Sequence, residues 1–86
     1  MIVHIPSPLR SYTADESRVE GKGGTIGALL NHLDRTYPGF RFRVIDEQDQ
    51  IREHIRFFIG TTPVNELAAE IDDAPEVHII CAISGG

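Results

Sequence analysis

The clearest pattern in the chain is an apolar stripe with helical spacing between residues 25 and 37. Positions i, i+3, i+4, i+7 and i+11 of this segment are Ile26, Leu29, Leu30, Leu33 and Tyr37. That spacing places the five side chains on one face of a helix. Thr25 is a good N-cap residue, and Pro38 and Gly39 end the helix sharply. We predict a helix of about three turns that packs on one face of a sheet.

Alternating patterns predict strands on either side of this helix. Met1, Val3 and Ile5 fall on one face of a short first strand. A second strand is predicted near residues 17–20, where it would close a hairpin with the first. Residues 51–60 form a third candidate, in which one face carries Ile55, Phe57 and Ile59 and the other carries Arg56 and Phe58.

The strongest strand pattern lies at residues 76–83. One face carries Val77, Ile79, Cys81 and Ile83, and the other carries His78, Ile80 and Ala82. Because both faces are largely apolar, this strand is predicted to be central and covered on at least one side. We expect it to lie parallel to the first strand in the middle of the sheet.

The connecting segments are weaker. Residues 40–46 are predicted to be a turn of helix or an extended connector, and residues 61–63 a turn. A short helical turn is predicted from the apolar positions Val64, Leu67, Ala68 and Ile71. The order of elements predicts an α+β roll, with one main helix across a mixed sheet of four to five strands.

Size and composition exclude several classes of protein. The 86 residues (9.5 kDa) fit one small domain, and 41% hydrophobic and 24% charged residues are near globular averages. A formal charge of −5 disfavours nucleic-acid binding, and no apolar run is long enough to span a membrane. Residues 1–6 lack the features of a secretory signal, so we expect a cytoplasmic protein. A single cysteine, Cys81, excludes an internal disulfide.

The common signatures of enzymes and metal sites are missing from the sequence. It contains no phosphate-binding glycine loop and no nucleophile elbow. No two of His4, His32, His54 and His78 are spaced to ligate a metal from one helix face, so no metal site and no catalytic residue are predicted. Cys81 is interpreted as apolar filler in the last strand.

The final three residues carry the most distinctive chemistry. We predict a domain at residues 1–83 and a flexible tail at residues 84–86, in which Ser84 leads to Gly85 and Gly86. Two consecutive glycines make a thin thread that can enter a narrow channel and present a carboxylate without side-chain crowding. Activation of that carboxylate by ATP would give an acyl-adenylate open to attack by sulfur or nitrogen. The simpler interpretation is a frayed terminus.

These motifs together resemble those of the MoaD/ThiS-type sulfur carriers, which have the ubiquitin-like β-grasp fold. The matching segments are IPSPLR at residues 5–10, TIGALL at 25–30, YPG at 37–39 and EVHIICAISGG at 76–86. The likeness covers nearly the whole chain.

The resemblance implies a carrier protein without an active site of its own. An E1-like adenylating enzyme would use ATP to adenylate the Gly86 carboxylate, and a persulfide donor would supply the sulfur of the resulting thiocarboxylate. A sulfur-accepting synthase subunit would then receive that sulfur for cofactor or metabolite biosynthesis. Ser84 and Gly85 would thread into the partners, and Phe57, Phe58 and Ile80 would form an apolar docking surface. No cofactor would be bound by the carrier itself.

Two other functions fit the same sequence. In the first, the chain is a ubiquitin-like modifier joined through Gly86 to lysines of other proteins. In the second, it is a β-grasp interaction module with an inert tail. The first predicts lysine conjugates of high mass, and the second predicts that the tail can be removed without effect.

Overall fold

A computed structural model of the chain describes residues 1–72 and 74–82. The elements in chain order are β1 (Ile2–His4), a 3-10 helix (Ser7–Tyr12), β2 (Arg18–Glu20), α1 (Ile26–Thr36), α2 (Phe40–Val44), β3 (Ile55–Ile59), β4 (Thr62–Val64) and β5 (Glu76–Cys81).

The five strands form one mixed sheet in the order β2-β1-β5-β3-β4. β1 and β5 are parallel, and the pairs β1–β2, β3–β4 and β3–β5 are antiparallel. The predicted hairpin between the first two strands and the central, parallel position of the last strand are therefore confirmed. So is the predicted α+β roll, a β-grasp arrangement with one main helix and a five-stranded sheet.

Helix α1 has the N-cap and the buried apolar stripe that the sequence predicts. The Thr25 hydroxyl oxygen accepts a hydrogen bond from the Ala28 N–H at 3.1 Å, which satisfies one of the free donors of the first turn. The apolar stripe is completely buried at Ile26, Leu29, Leu30 and Leu33. These side chains share one core with Val3, Val77, Ile79 and Phe57 on the inner face of the sheet. Burial of the stripe therefore fixes the helix against the central strands.

Some elements differ from the predicted ones. The third strand begins at Ile55 rather than at residue 51. Of the two alternatives for residues 40–46, the helical one is correct for Phe40–Val44. Residues 62–64 form β4, whereas a turn was predicted at 61–63; Pro63 is tolerated because β4 lies at the sheet edge. The 3-10 helix was not predicted; it begins with Pro8 in its first turn and buries Leu9.

The predicted helical turn between Val64 and Ile71 is wrong. Val64 ends β4, and the following segment runs along the start of α1. There the carbonyls of Leu67 and Ala69 accept hydrogen bonds from the N–H groups of Gly27 and Ile26, at 2.9 and 3.1 Å. These N–H groups lie in the first turn of α1 and have no partner within the helix. The segment therefore uses its carbonyl groups to cap α1 and does not form a helical turn of its own.

Candidate functional site

The central strand β5 leads directly toward the predicted tail. It is flanked by β1 on one side and by β3 on the other, and its described continuation ends at Ala82. The Ala82 N–H donates to the His54 carbonyl oxygen at 2.7 Å, so the chain is held to the sheet up to this residue. Ser84, Gly85 and Gly86, which carry the predicted tail and its reactive carboxylate, lie outside the described residues.

The face of the sheet opposite α1 carries one continuous row of side chains across all five strands. In register from β2 to β4, the row consists of Arg18, His4, His78, Phe58 and Pro63. Ile80 stands two residues beyond His78 on the same face of β5 and is 43% exposed. We call this surface the open face. It combines titratable and apolar groups around the central strand.

Only part of the predicted docking surface lies on the open face. Phe58 is half-buried there and Ile80 is exposed, so both can contact a partner. Phe57 points the other way and is 1% exposed within the core. Its inclusion in the docking surface was therefore wrong, because successive residues of a strand face opposite sides of the sheet.

Two shallow hollows flank Ile80, one on the β3 side and one on the β1 side of β5. One, of about 350 Å³, is lined by Phe58, Gly60, Thr61, His78 and Ile80. The other, of about 440 Å³, lies between the start of the 3-10 helix and the end of β5, and its lining includes Pro6, Arg10, Ile80 and Cys81. Cys81 is half-buried at the edge of this second hollow. An apolar side chain of a partner could therefore be accommodated on either side of Ile80.

Three side chains with lone-pair donors meet at the β1 side of the open face. His4 and His78 stack with ring centroids 4.1 Å apart and planes within 4° of parallel. His4 Nε2 lies 2.7 Å from Glu76 Oε1. This hydrogen bond holds the pKa of Glu76 below its ordinary value of 4.5, with smaller contributions from the charges of His4, His78 and Arg18. The Glu76 carboxylate is therefore ionised at neutral pH.

The contact between Glu76 and His4 predicts a pH dependence of stability. Because the pKa of Glu76 is lower in the folded state, its contribution is present above pH 4.5 and is lost as the pH falls through the folded-state pKa. We expect the difference in unfolding free energy between wild type and Glu76→Gln to shrink on acidification from neutral pH. Urea denaturation followed by circular dichroism at a series of pH values measures it. In a His4→Ala background the same difference should be smaller at neutral pH, where the carboxylate is ionised; an equal difference at neutral pH would contradict the assignment.

Sequence reasoning missed this cluster. His4 and His78 are far apart in the chain, and only the parallel register of β1 with β5 places them opposite each other. The available signal was the alternation of β5, which places Glu76 and His78 on the same face. The alternation identifies the cluster only when the neighbouring strand and its register are known.

Comparison with known proteins decides the family. A family model described as the ThiS family matches residues 3–86. The chain belongs to the ThiS family. The predicted resemblance to MoaD/ThiS-type sulfur carriers is thereby confirmed, as is the prediction that the protein is a sulfur carrier and not an enzyme.

Relatives and solved structures place this ThiS-family chain near one group of carriers. It is 30% identical to the sulfur carrier protein CysO of Mycobacterium tuberculosis over 89 residues, which cover 98% of this chain and 96% of the relative. A chain of the Amycolatopsis orientalis BexX/CysO complex superimposes with a TM-score of 0.89 at 28% identity, covering 99% of this chain and 98% of that one. In that organism, CysO is therefore seen in a complex with a second protein.

A more distant structure supports the fold alone. The crystal structure of SAMP1 from Haloferax volcanii superimposes with a TM-score of 0.76 at 22% identity, covering 100% of this chain and 98% of that one. Separately, none of the helices within residues 1–72 and 74–82 is long and apolar enough to cross a membrane.

Proposed function

We propose that this carrier transports sulfur as a thiocarboxylate on Gly86. The observation that supports it most directly is that the ThiS-family match extends through Gly86, the residue to which the central strand β5 leads. In this proposal residues 84–86 form an extended tail on a domain of residues 1–83, and Ser84 and Gly85 enter the partner. Glycine has no Cβ, so a narrow channel can admit the last two residues.

The chemistry replaces one oxygen of a carboxylate by sulfur. The Gly86 carboxylate attacks the α-phosphate of ATP on an E1-like enzyme, and pyrophosphate leaves. The terminal sulfur of a persulfide donor then attacks the carbonyl carbon and expels AMP, which takes one carboxylate oxygen with it. A thiol reduces the resulting acyl disulfide and releases the thiocarboxylate. The need for ATP and for thiol reductants favours the cytoplasm as the place of this reaction.

The open face is proposed as the docking surface for the activating enzyme and for the sulfur-accepting synthase subunit. Ile80 and Phe58 supply apolar contacts between the two hollows. The rim of this surface carries charges of both signs, since Glu76 and Arg18 lie on its β1 side. Apolar anchors within a polar rim are typical of protein interfaces.

An intact-mass measurement tests the proposal. The full chain is incubated with ATP, sulfide and the E1-like adenylating enzyme of the same organism. We expect a gain of about 16 Da, the exchange of one oxygen for sulfur.

Two variants complete this experiment. Deletion of Gly86 should abolish the gain, whereas Glu47→Ala, a change in the exposed loop between α2 and β3, should retain it. A wild-type mass that stays unchanged, or a gain that survives the deletion, would overturn the proposal. Gly86-dependent conjugates to lysines of other proteins, without any thiocarboxylate, would favour the modifier function instead.

A further inference from the structure

The side chains of His4, Glu76 and His78 form a cluster that takes no part in the chemical steps proposed for Gly86. The cluster lies at the start of β5, and the predicted tail follows the other end of that strand. At the usual rise of about 3.3 Å per residue, His78 and Ala82 are roughly 13 Å apart along the chain. The cluster is therefore separated from Ala82, the last described residue before the predicted tail.

The backbone holds the three residues on one face of two paired strands. Parallel register places His4 of β1 opposite His78 of β5, and also Ile2 opposite Glu76. Glu76 and His78 are two residues apart and so point to the same side of the sheet. The position of the cluster is therefore set by the central pair of strands, which is a rigid part of the fold.

The three donor atoms are close enough to share one metal ion once the side chains rotate. One donor atom from each residue lies within 4.8 Å of the donors of the other two. Zinc bonds to imidazole nitrogen and carboxylate oxygen are about 2.0–2.2 Å long, which places two tetrahedral ligands roughly 3.4 Å apart. Parallel imidazole rings direct their lone pairs in parallel, so the rings must turn to share an ion. Exposed fractions of 27% for the His4 side chain and 50% for Glu76 leave room for this turn.

The donor set selects the kind of ion. Two imidazoles and one carboxylate are ligands for zinc and for neighbouring transition metals, whereas magnesium and calcium require mostly oxygen ligands. Arg18, opposite His4 on β2, is the cation that faces the cluster, and Phe58 flanks it from β3.

We propose that His4, Glu76 and His78 form a surface site for a divalent transition-metal ion of the zinc class. Three protein ligands leave one tetrahedral position open toward the open face, where water or a donor group of a docked partner can bind. A bound ion would also replace the His4–Glu76 hydrogen bond by a cross-strand link between β1 and β5.

Calorimetric titration of the untagged full chain with Zn²⁺ tests the site. We expect one ion per chain, and addition of Co²⁺ should give visible absorption bands of a nitrogen- and oxygen-ligated ion. His4→Gln and His78→Gln should each weaken Zn²⁺ binding by at least about tenfold, or 1.4 kcal/mol. His54→Gln, which changes an exposed histidine outside the cluster, should bind Zn²⁺ like the wild type.

Two further variants keep the test decisive. Glu76→Gln retains the shape of the side chain and should weaken Zn²⁺ binding without unfolding the chain, which circular dichroism verifies. Arg18→Gln should strengthen it, because a cation next to the ion is removed. Absence of one-to-one binding, unchanged affinity in the His4 and His78 variants, or an equal loss in His54→Gln would overturn the proposal. None of these measurements involves an activating enzyme, so the result is independent of the sulfur-carrier proposal.

Discussion

Phe57→Ala is expected to destabilise the protein by about 3–5 kcal/mol, the usual cost of truncating a buried phenylalanine. Phe57 is among the largest completely buried side chains and packs in the same core as the α1 stripe. Domains of this kind are stable by only about 5–15 kcal/mol in total. The substitution should therefore remove a large share of the free energy of unfolding. Urea denaturation followed by far-ultraviolet circular dichroism measures the loss.

The neighbouring residue provides a matched control. Phe58 has the same side chain but lies half-buried on the open face, so Phe58→Ala should cost about 1 kcal/mol or less. It should instead slow sulfur loading by the activating enzyme, because it removes part of the proposed docking surface. Equal destabilisation by the two substitutions would contradict the assignment of Phe57 to the core and Phe58 to the surface.

Gly23→Ala is expected to destabilise the protein by about 3 kcal/mol or more. Gly23 has a φ of +154°, and a Cβ atom there would lie 2.5 Å from the backbone nitrogen of Leu29 and 2.9 Å from the Ala28 carbonyl carbon. These are atoms of the α1 backbone and cannot move alone. The helix would have to shift away from the preceding loop, which adds overpacking to an unfavourable φ.

Gly60→Ala separates the two contributions. Gly60 also has a positive φ, +63°, but nothing lies within 4 Å of a Cβ placed there. Only the backbone strain remains, so this substitution should cost about 1 kcal/mol. The difference between the two alanine variants in urea denaturation then gives the cost of the contact with α1 together with the less favourable φ of Gly23. If both variants lose the same stability, the close approach of Gly23 to the helix is not important for folding.

The elements that could be predicted from the sequence are those determined by residues close together in the chain. Helix α1 is determined by an apolar stripe and a capping threonine that lie within a dozen residues, and both act as the sequence indicates. Strand β5 is similarly marked by apolar residues on both faces. Its central position follows from that composition.

The wrong predictions concern segments with long-range partners. Residues 64–71 have helix-like apolar spacing, yet their carbonyls bond to the first turn of α1, about forty residues earlier. Pro63 argues against a strand, yet β4 lies at an edge where the missing N–H costs little. Neither partner is visible in a local window of sequence.

In the candidate site, too, features set by nearby residues could be predicted and features set by long-range partners could not. The alternation in residues 55–59 correctly separated Phe57 from Phe58, but the pattern alone did not tell which of the two faces the core. The burial of α1 on one side of the sheet decided it. His4 and His78 meet only through the register of β1 with β5, which a spacing search along one helix or loop cannot detect.

The two outer strands have a consequence for the behaviour of the protein in a crowded solution. β2 and β4 are each three residues long; β2 carries Arg18 and Glu20, and β4 contains Pro63, which has no N–H to offer to an added strand. Short, charged or proline-containing margins are poor templates for sheet extension. Both margins therefore oppose stacking of copies into fibrils, which keeps individual molecules free to diffuse.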